Sequence, residues 1–376
     1  MKFDVSSSAL SFHLQSISKV IASKNTVPIL DCFLFRLDKE ARRLFITASD
    51  METRLETSIA ALNVEGNGVF AVSAKILLDF LKELPEQPLM FDLNDDNLST
   101  VVRYENGKYE FVGQRGDTYP QQKEMKSDAV TLTMEAPVLL NGISRTLFAT
   151  ADDELRPVMN GVFFDIQPDR LIFVASDGHK LVQISSLTTR SNTRASFVLP
   201  KKSANLLRAL LARETGDIDI RFDENTATIR LSNFEMVCRL VEGRYPNYSS
   251  VIPTDNPNRM TVDRLYLLNA LKRVSISSNP ASGLVRLQLT EDELTISAQD
   301  IDFSTSAEEI VECQYAGADM NIGFKGTFLI EMLNNISASE ITLQLGDASR
   351  AGVIVPTENE AGEEQLALLM PMMLNN

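Results

Sequence analysis

The chain has no tryptophan, two histidines and three cysteines in 376 residues. Cys32, Cys238 and Cys313 stand singly in apolar, strand-like runs. An odd, unclustered set argues against a disulfide framework and against a zinc site, so buried thiols are expected. His13 and His179 are too few and too far apart in sequence to build a histidine-rich metal centre. No stretch approaches about 18 consecutive apolar residues, so no membrane span is expected. The start, Met1-Lys2-Phe3-Asp4, lacks the apolar stretch and cleavage site of a signal peptide, and a cytoplasmic location is expected. Motifs for group transfer are missing too: there is no GxxxxGK[ST] loop, no GxSxG elbow and no HExxH. Gly178 and Gly243 stand alone rather than in glycine-rich loops. No cofactor is implied.

What remains is an ordinary globular composition, 44% hydrophobic and 23% charged. At about 150 residues per domain the length suggests about 2.5 domains. The pattern along the chain is more specific, because four elements recur in one order. An amphipathic helix is predicted over 7–22, again over 135–150 and again over 263–278. In the third copy Leu265, Leu268, Leu271 and Val274 recur near helical spacing. A pair of alternating strands then ends in a small-residue-Asp turn: FLFRLDKEARRLFITASD to Asp50, GVFFDIQPDRLIFVASD to Asp177, and LVRLQLTEDELTISAQD to Asp300. A strand running into a helix follows, VFAVSAKILLDFLKEL, SFVLPKKSANLLRALL and MNIGFKGTFLIEMLNNI. A closing strand ends each copy, YEFVGQRGDTYP, EMVCRLVEGRYPNY and QLALLMPMM. The period is near 125 residues, which divides the chain into 1–128, 129–257 and 258–376. Each part is expected to be α+β, two helices against an antiparallel sheet.

Charge is distributed unevenly over this pattern. The net charge is −15, which taken whole argues against nucleic-acid binding. Yet the six predicted helices (7–22, 74–84, 135–150, 201–213, 263–278 and 325–337) carry 12 basic and 5 acidic residues, and the remainder 24 and 46. Lys201 and Lys202 open a predicted helix, where cations oppose the helix dipole, so dipole compensation does not account for them. A basic helical layer in an acidic protein suits phosphate contact without base recognition. Asp50 with Glu52, and Asp177 with His179, resemble catalytic pairs. Their equivalence with Asp300 favours a turn role for all three, and no enzyme is expected.

Several stretches resemble the bacterial DNA polymerase III β subunit, the sliding clamp. These are KNTVPIL at 24–30, ASDGHKL at 175–181, LVEGRYPNY at 240–248, GADMNIGF at 317–324 and LLMPMM at 368–373. They lie in all three thirds and in family order. The resemblance implies three clamp domains per subunit, and a head-to-tail homodimer closed into a ring with helices lining the hole. It implies a processivity factor that encircles duplex DNA without sequence preference. The implied partners are the DNA polymerase III catalytic subunit, the clamp loader, and other polymerases and repair factors that carry a clamp-binding peptide.

Carried over by position, the resemblance implies DNA contact at Lys24, Lys75, Arg156, Lys201 and Lys202. It implies a partner-peptide cleft at Met159, Gly178, His179, Lys180, Leu181, Pro246, Val251, Met370, Pro371 and Met372. It puts Tyr109 and Phe111 of one subunit against Ile276 of the other. The sequence departs from the family pattern at Ala74, at Pro157-Val158, at Ser250, at Met373 and in the Asn375-Asn376 tail. A monomeric adaptor that never touches DNA, and an enzyme using the aspartate turns, are the competing readings.

Overall fold

The computed structural model describes residues 1–121, 125, 126 and 128–374. The Asn375-Asn376 tail lies outside them. Among the described residues six α-helices form: α1 Ser7–Ser18, α2 Ala74–Lys82, α3 Ala136–Thr146, α4 Lys201–Leu211, α5 Arg264–Val274 and α6 Gly326–Asn334. They match the six predicted segments but are shorter. The expected ends of the third and fifth tighten into 3-10 turns, Leu147–Ala149 and Ser275–Ser277.

Capping marks two of the starts. The Ser6 hydroxyl accepts the Ala9 amide at 3.1 Å, and the Asp263 carboxylate accepts the Tyr266 amide at 2.8 Å. The buried stripe of α5 is Leu267, Leu268, Ala270, Leu271 and Val274. Leu265, expected on that stripe, is exposed. It sits two residues from Leu267, about 200° around the helix, and so faces away from the core.

Two compact units divide the chain: Met1–Pro137 with Asn205–Leu240, and Val138–Ala204 with Val241–Asn376. The divisions cut through the second repeat, because strands of neighbouring repeats share sheets. In the first unit a nine-stranded sheet runs Gln114–Arg115, Gly68–Ser73, Cys32–Asp38, Arg43–Ser49, Thr53–Ala60, Phe234–Arg239, Thr226–Arg230, Asp217–Phe222, Val130–Glu135. The strand after the Asp50 turn pairs antiparallel with the second repeat's closing strand, from Thr53 opposite Cys238 to Thr57 opposite Phe234. In the second unit the strand after the Asp177 turn, Lys180–Ser186, pairs likewise with the third repeat's closing strand, Glu363–Leu369. That seam also lies inside a nine-stranded sheet.

Two smaller sheets end in unpaired strands. In the first unit a five-stranded sheet ends on Gly107–Val112. In the second, a four-stranded sheet ends on Thr305–Glu312. All three cysteines are buried thiols, and burial pushes Cys313 up to about 11. Among the described residues no helix is long and apolar enough to cross a membrane.

Packing overrides propensity at Gly142, in the middle of α3. A Cβ there would lie 2.4 Å from the ring of Phe173, which is fully buried. Helix propensity alone favours Gly142→Ala by about 1 kcal/mol. Overpacking against a rigid ring costs about 1–3 kcal/mol. The expected net effect is a lower urea midpoint at unchanged slope. A midpoint equal to or above that of the parent would show that Phe173 can yield.

Candidate functional site

The three aspartate turns are built alike. The Asp50 Oδ1 accepts the Glu52 and Thr53 amides at 3.1 and 2.7 Å. The Asp177 Oδ1 accepts those of His179 and Lys180 at 2.8 and 2.9 Å. The Asp300 Oδ1 accepts those of Asp302 and Phe303 at 3.0 and 3.4 Å. Each carboxylate closes its own turn, the role their equivalence suggested. Gly178 adopts φ +90°, which a glycine takes without strain, whereas Met51 takes φ +79° at the equivalent place.

Around the Asp177 turn the second unit forms an apolar wall. The Met370 amide donates to the His179 carbonyl at 2.9 Å, and the Met372 amide to the Gly323 carbonyl at 2.8 Å. These two bonds hold the chain end between the turn and the strand Met320–Lys325. Leu181 is buried, opposite Leu368 in the ladder, and packs in one cluster with Val174, Tyr245 and Ala351. The Tyr245 ring stacks flat on Phe163 at 4.4 Å, and the Tyr248 hydroxyl donates to Asp165 at 2.7 Å. Burial, reinforced by the Asp165 carboxylate, raises the Tyr248 phenol well above its ordinary value. These contacts hold the backbone on either side of Pro246, which is exposed, as is Val251. Met159 is buried at the end of the 3-10 turn Pro157–Met159.

Lys180 is buried, 5% exposed, although Gly178 and His179 before it are exposed. Its Nζ lies 3.2 Å from Asp177, 3.1 Å from Glu331 on α6, and 4.0 Å over the Phe328 ring. The Lys325 Nζ lies 4.8 Å from the same ring, and the His179 ring 6.4 Å from it. Phe328, Lys325 and Glu331 thus belong to this wall, and sequence reasoning missed them. The available signal was Phe328 itself, an aromatic residue off the Leu329, Met332 and Leu333 core stripe of α6.

The equivalent place at the first seam is ionic. Glu52, Thr53 and Arg54 stand where the second seam has His179, Lys180 and Leu181, and Arg239 stands for Met370. The backbone bond is kept, Arg239 amide to Glu52 carbonyl at 2.8 Å. The side chains pair instead, Arg239 with Glu52 at 3.7 Å and Arg54 with Glu56 at 3.2 Å. One fold therefore presents an apolar surface at one seam and a charged one at the other.

The expected phosphate-contacting cations are placed as follows. Lys24 and Lys75 are exposed in the first unit. Lys201 and Lys202 open α4, and the Lys201 Nζ lies 2.6 Å from Asp152, which offsets the unfavourable dipole. Arg156 binds Asp153 at 2.8 Å and reaches toward the Asp177 carbonyl at 3.4 Å. Its hydrogen bond holds the Asp153 carboxyl below the usual range. The structure so brings Arg156 to the apolar wall, against Gly178. The helices as observed carry nine basic and two acidic residues. Arg208 on α4 and Lys272 on α5, both exposed, are cations that sequence reasoning did not single out.

Tyr109 and Phe111 lie half-buried on one face of the edge strand Gly107–Val112, with the Phe80 ring stacked on Tyr109 at 4.4 Å. Ile276, 84% exposed, sits in the 3-10 turn after α5.

Comparison with known proteins accounts for this arrangement. Residues 1–123, 133–247 and 249–373 match the N-terminal, central and C-terminal domains of the DNA polymerase III beta subunit. The chain belongs to the DNA polymerase III beta subunit family. Curated relatives include the beta sliding clamps of Proteus mirabilis, 29% identical, and Synechococcus elongatus, 28% identical, each covered completely along with this chain. Among solved structures, the DNA polymerase III subunit beta of Pseudomonas aeruginosa superposes with a TM-score of 0.94 at 26% identity over all of both chains. A Pseudomonas aeruginosa sliding clamp bound to griselimycin superposes at 0.93, also 26% identical over all of both chains. The fold is the three-domain sliding-clamp fold, and this family is not one of enzymes.

Proposed function

We infer that two copies of this chain close head to tail into a ring that encircles duplex DNA and tethers a replicative polymerase to it. The observation that carries the reading is the pair of unpaired sheet edges. Both seams within the chain join a strand that follows a turn aspartate to a closing strand. Both use one register, with the third residue after the aspartate opposite Cys238 or Leu369. Among the described residues, Thr305–Glu312 and Gly107–Val112 are the strands of these two types left without a partner. Five strands from one subunit and four from the other make nine, the number in each sheet that holds a seam. In the third repeat the turn is two residues longer, Asp300 pairing with Thr305, so the same register sets Thr305 opposite the partner subunit's Val112 and Glu309 opposite the partner subunit's Lys108. Large apolar side chains stay exposed beside these edges, Val112 at 71% and Ile276, Ile301 and Phe303 at 74–84%. A partner removes such surface from water.

Domain boundaries near residues 128 and 257 fit the reading, as does a cytoplasmic location, where the DNA is. Closure around DNA makes strong binding unnecessary, so a few phosphate contacts by Lys24, Lys75, Lys201 and Lys202 suffice, and the acidic remainder discourages adhesion elsewhere. Arg156 belongs to this set by position, although its guanidinium also supports the apolar wall. That wall, from Met159 and Gly178–Leu181 to Pro246, Val251 and Met370–Met372, is the docking cleft for a short extended peptide from polymerase, loader or repair protein. Anchoring apolar side chains would supply most of the binding energy. A monomeric adaptor has no use for the matched edges.

The ring itself is tested on topology. Loaded by a clamp loader, the protein should stay on nicked circular DNA and be lost when the circle is cut. Retention on linear DNA with open ends would contradict encirclement. Changing Lys201 and Lys202 to Glu should slow loading most at low salt, without creating sequence preference.

Changing Phe111 and Ile276 together to Asp should halve the mass seen by light scattering, because unpaired charge buried in the seam costs several kcal/mol. A double variant that stayed dimeric would move the interface elsewhere.

Met372→Asp should weaken griselimycin binding at least about tenfold, the effect of losing an anchor contact, while the mass stays dimeric. Unchanged affinity in the dimeric variant would place docking at another surface.

A further inference from the structure

We propose that the methionines at the end of the chain, Met370 foremost, are a site of peroxide modification, and that their oxidation to the sulfoxide releases docked partners. The inference rests on the docking reading above.

Sulfur is unevenly placed in this protein. Cys32, Cys238 and Cys313 are 2%, 1% and 9% exposed, so a peroxide dissolved in water meets almost no thiol. Burial also holds the thiols of Cys32 and Cys313 above their ordinary value, which keeps them from the reactive thiolate form. Of the methionines, Met134, Met159, Met236, Met260 and Met332 are buried. Met370 and Met373 are 44% and 83% exposed, and Met372 is half-buried between them. Met51 and Met90, 60% and 45% exposed, stand singly in the first unit, whereas Met370, Met372 and Met373 bring three thioethers within four residues at the wall assigned to docking. The backbone there is fixed by the Met370–His179 and Met372–Gly323 hydrogen bonds. Oxidation therefore changes the chemistry of the wall without unfolding the strand that carries it.

The step needs only a peroxide. The thioether sulfur gives an electron pair to one peroxide oxygen, the O–O bond breaks and an S–O bond forms. The second oxygen leaves as water after taking the proton. Sulfur is oxidised by two electrons, and the peroxide is reduced. A soft apolar side chain becomes a polar one with a strong hydrogen-bond acceptor. An apolar peptide anchor that covered this oxygen would strip its water and give no donor in return. The sulfoxide is reducible enzymatically, so the change is reversible.

The test uses the full-length dimer before and after hydrogen peroxide. Oxidation is mapped by peptide mass, the dimer is followed by light scattering, and affinity is read by titration with griselimycin. Met370 and Met373 should gain one oxygen each. The dimer mass should hold, and affinity should fall by about tenfold or more, returning after methionine sulfoxide reductase treatment. A chain carrying Met370→Leu, Met372→Leu and Met373→Leu has its own starting affinity, and peroxide should leave that value unchanged. A chain carrying Met51→Leu and Met90→Leu, exposed methionines away from the wall, should lose affinity on oxidation as the parent does. Sulfoxide at Met370 with unchanged affinity would overturn the proposal, and so would equal peroxide sensitivity in the triple Leu chain. Failure of the untreated dimer to bind griselimycin would instead reject the docking reading, and the proposal with it.

Discussion

Antiparallel pairing between the strand that follows a turn aspartate and the closing strand of another repeat is the interaction on which the rest depends. It forms Thr53–Ala60 against Phe234–Arg239, and Lys180–Ser186 against Glu363–Leu369. A repeat that ended its sheet at its own border would leave a row of unsatisfied amides and carbonyls. At the two seams such a row is matched to another repeat, so the sheet continues where the repeat ends. The same requirement leaves one edge of each type over, and that surplus turns a repeated chain into a ring-forming subunit. The aspartates set where the pairing begins, because each uses its carboxylate to fix the two amides that lead into the strand.

Geometric equivalence leaves chemistry free to differ. At the first seam the residues bordering the turn are Glu52, Arg54 and Arg239, paired with one another or with Glu56. At the second they are His179, Leu181 and Met370, backed by the buried Lys180 and by Phe328. The backbone bonds at the two places are nearly the same length. The difference therefore lies in side chains alone. It explains how a quasi-symmetric scaffold presents an apolar surface at one seam and a charged one at the other. Lys180 has a structural part in this. Its contacts to Asp177 and Glu331 tie the turn to α6, and carry a cation beneath a surface that would otherwise rest on an unbraced loop.

The electrostatic division follows from the same economy. A ring held by topology needs contacts that are easily broken, and long-range attraction spread over helices supplies them. Two of the expected cations, Arg156 and Lys201, already lie against Asp153 and Asp152. Such pairs on a surface are worth little and exchange readily for a phosphate. The neighbouring carboxylates then hold those side chains in place while no phosphate is near.

The sequence by itself determined the repeat, the α+β class of each copy, the six helices and the equivalence of Asp50, Asp177 and Asp300. These are local properties: hydrophobic period, capping residues and turn chemistry act within a few positions and survive any change of surroundings. The resemblance at ASDGHKL and LLMPMM also singled out stretches that meet at the second seam, Lys180 opposite Leu369 and the Met370 amide at the His179 carbonyl. Only the tertiary structure decided which strand continues which sheet, since hydrogen bonding between strands is blind to side-chain identity and joins residues as distant as Lys180 and Leu369. It decided that Leu265 faces water, that Lys180 is buried, and that Phe328, Lys325 and Glu331 complete the wall. Burial and ion pairing depend on what arrives from elsewhere in the chain, and periodicity along one segment carries no record of that.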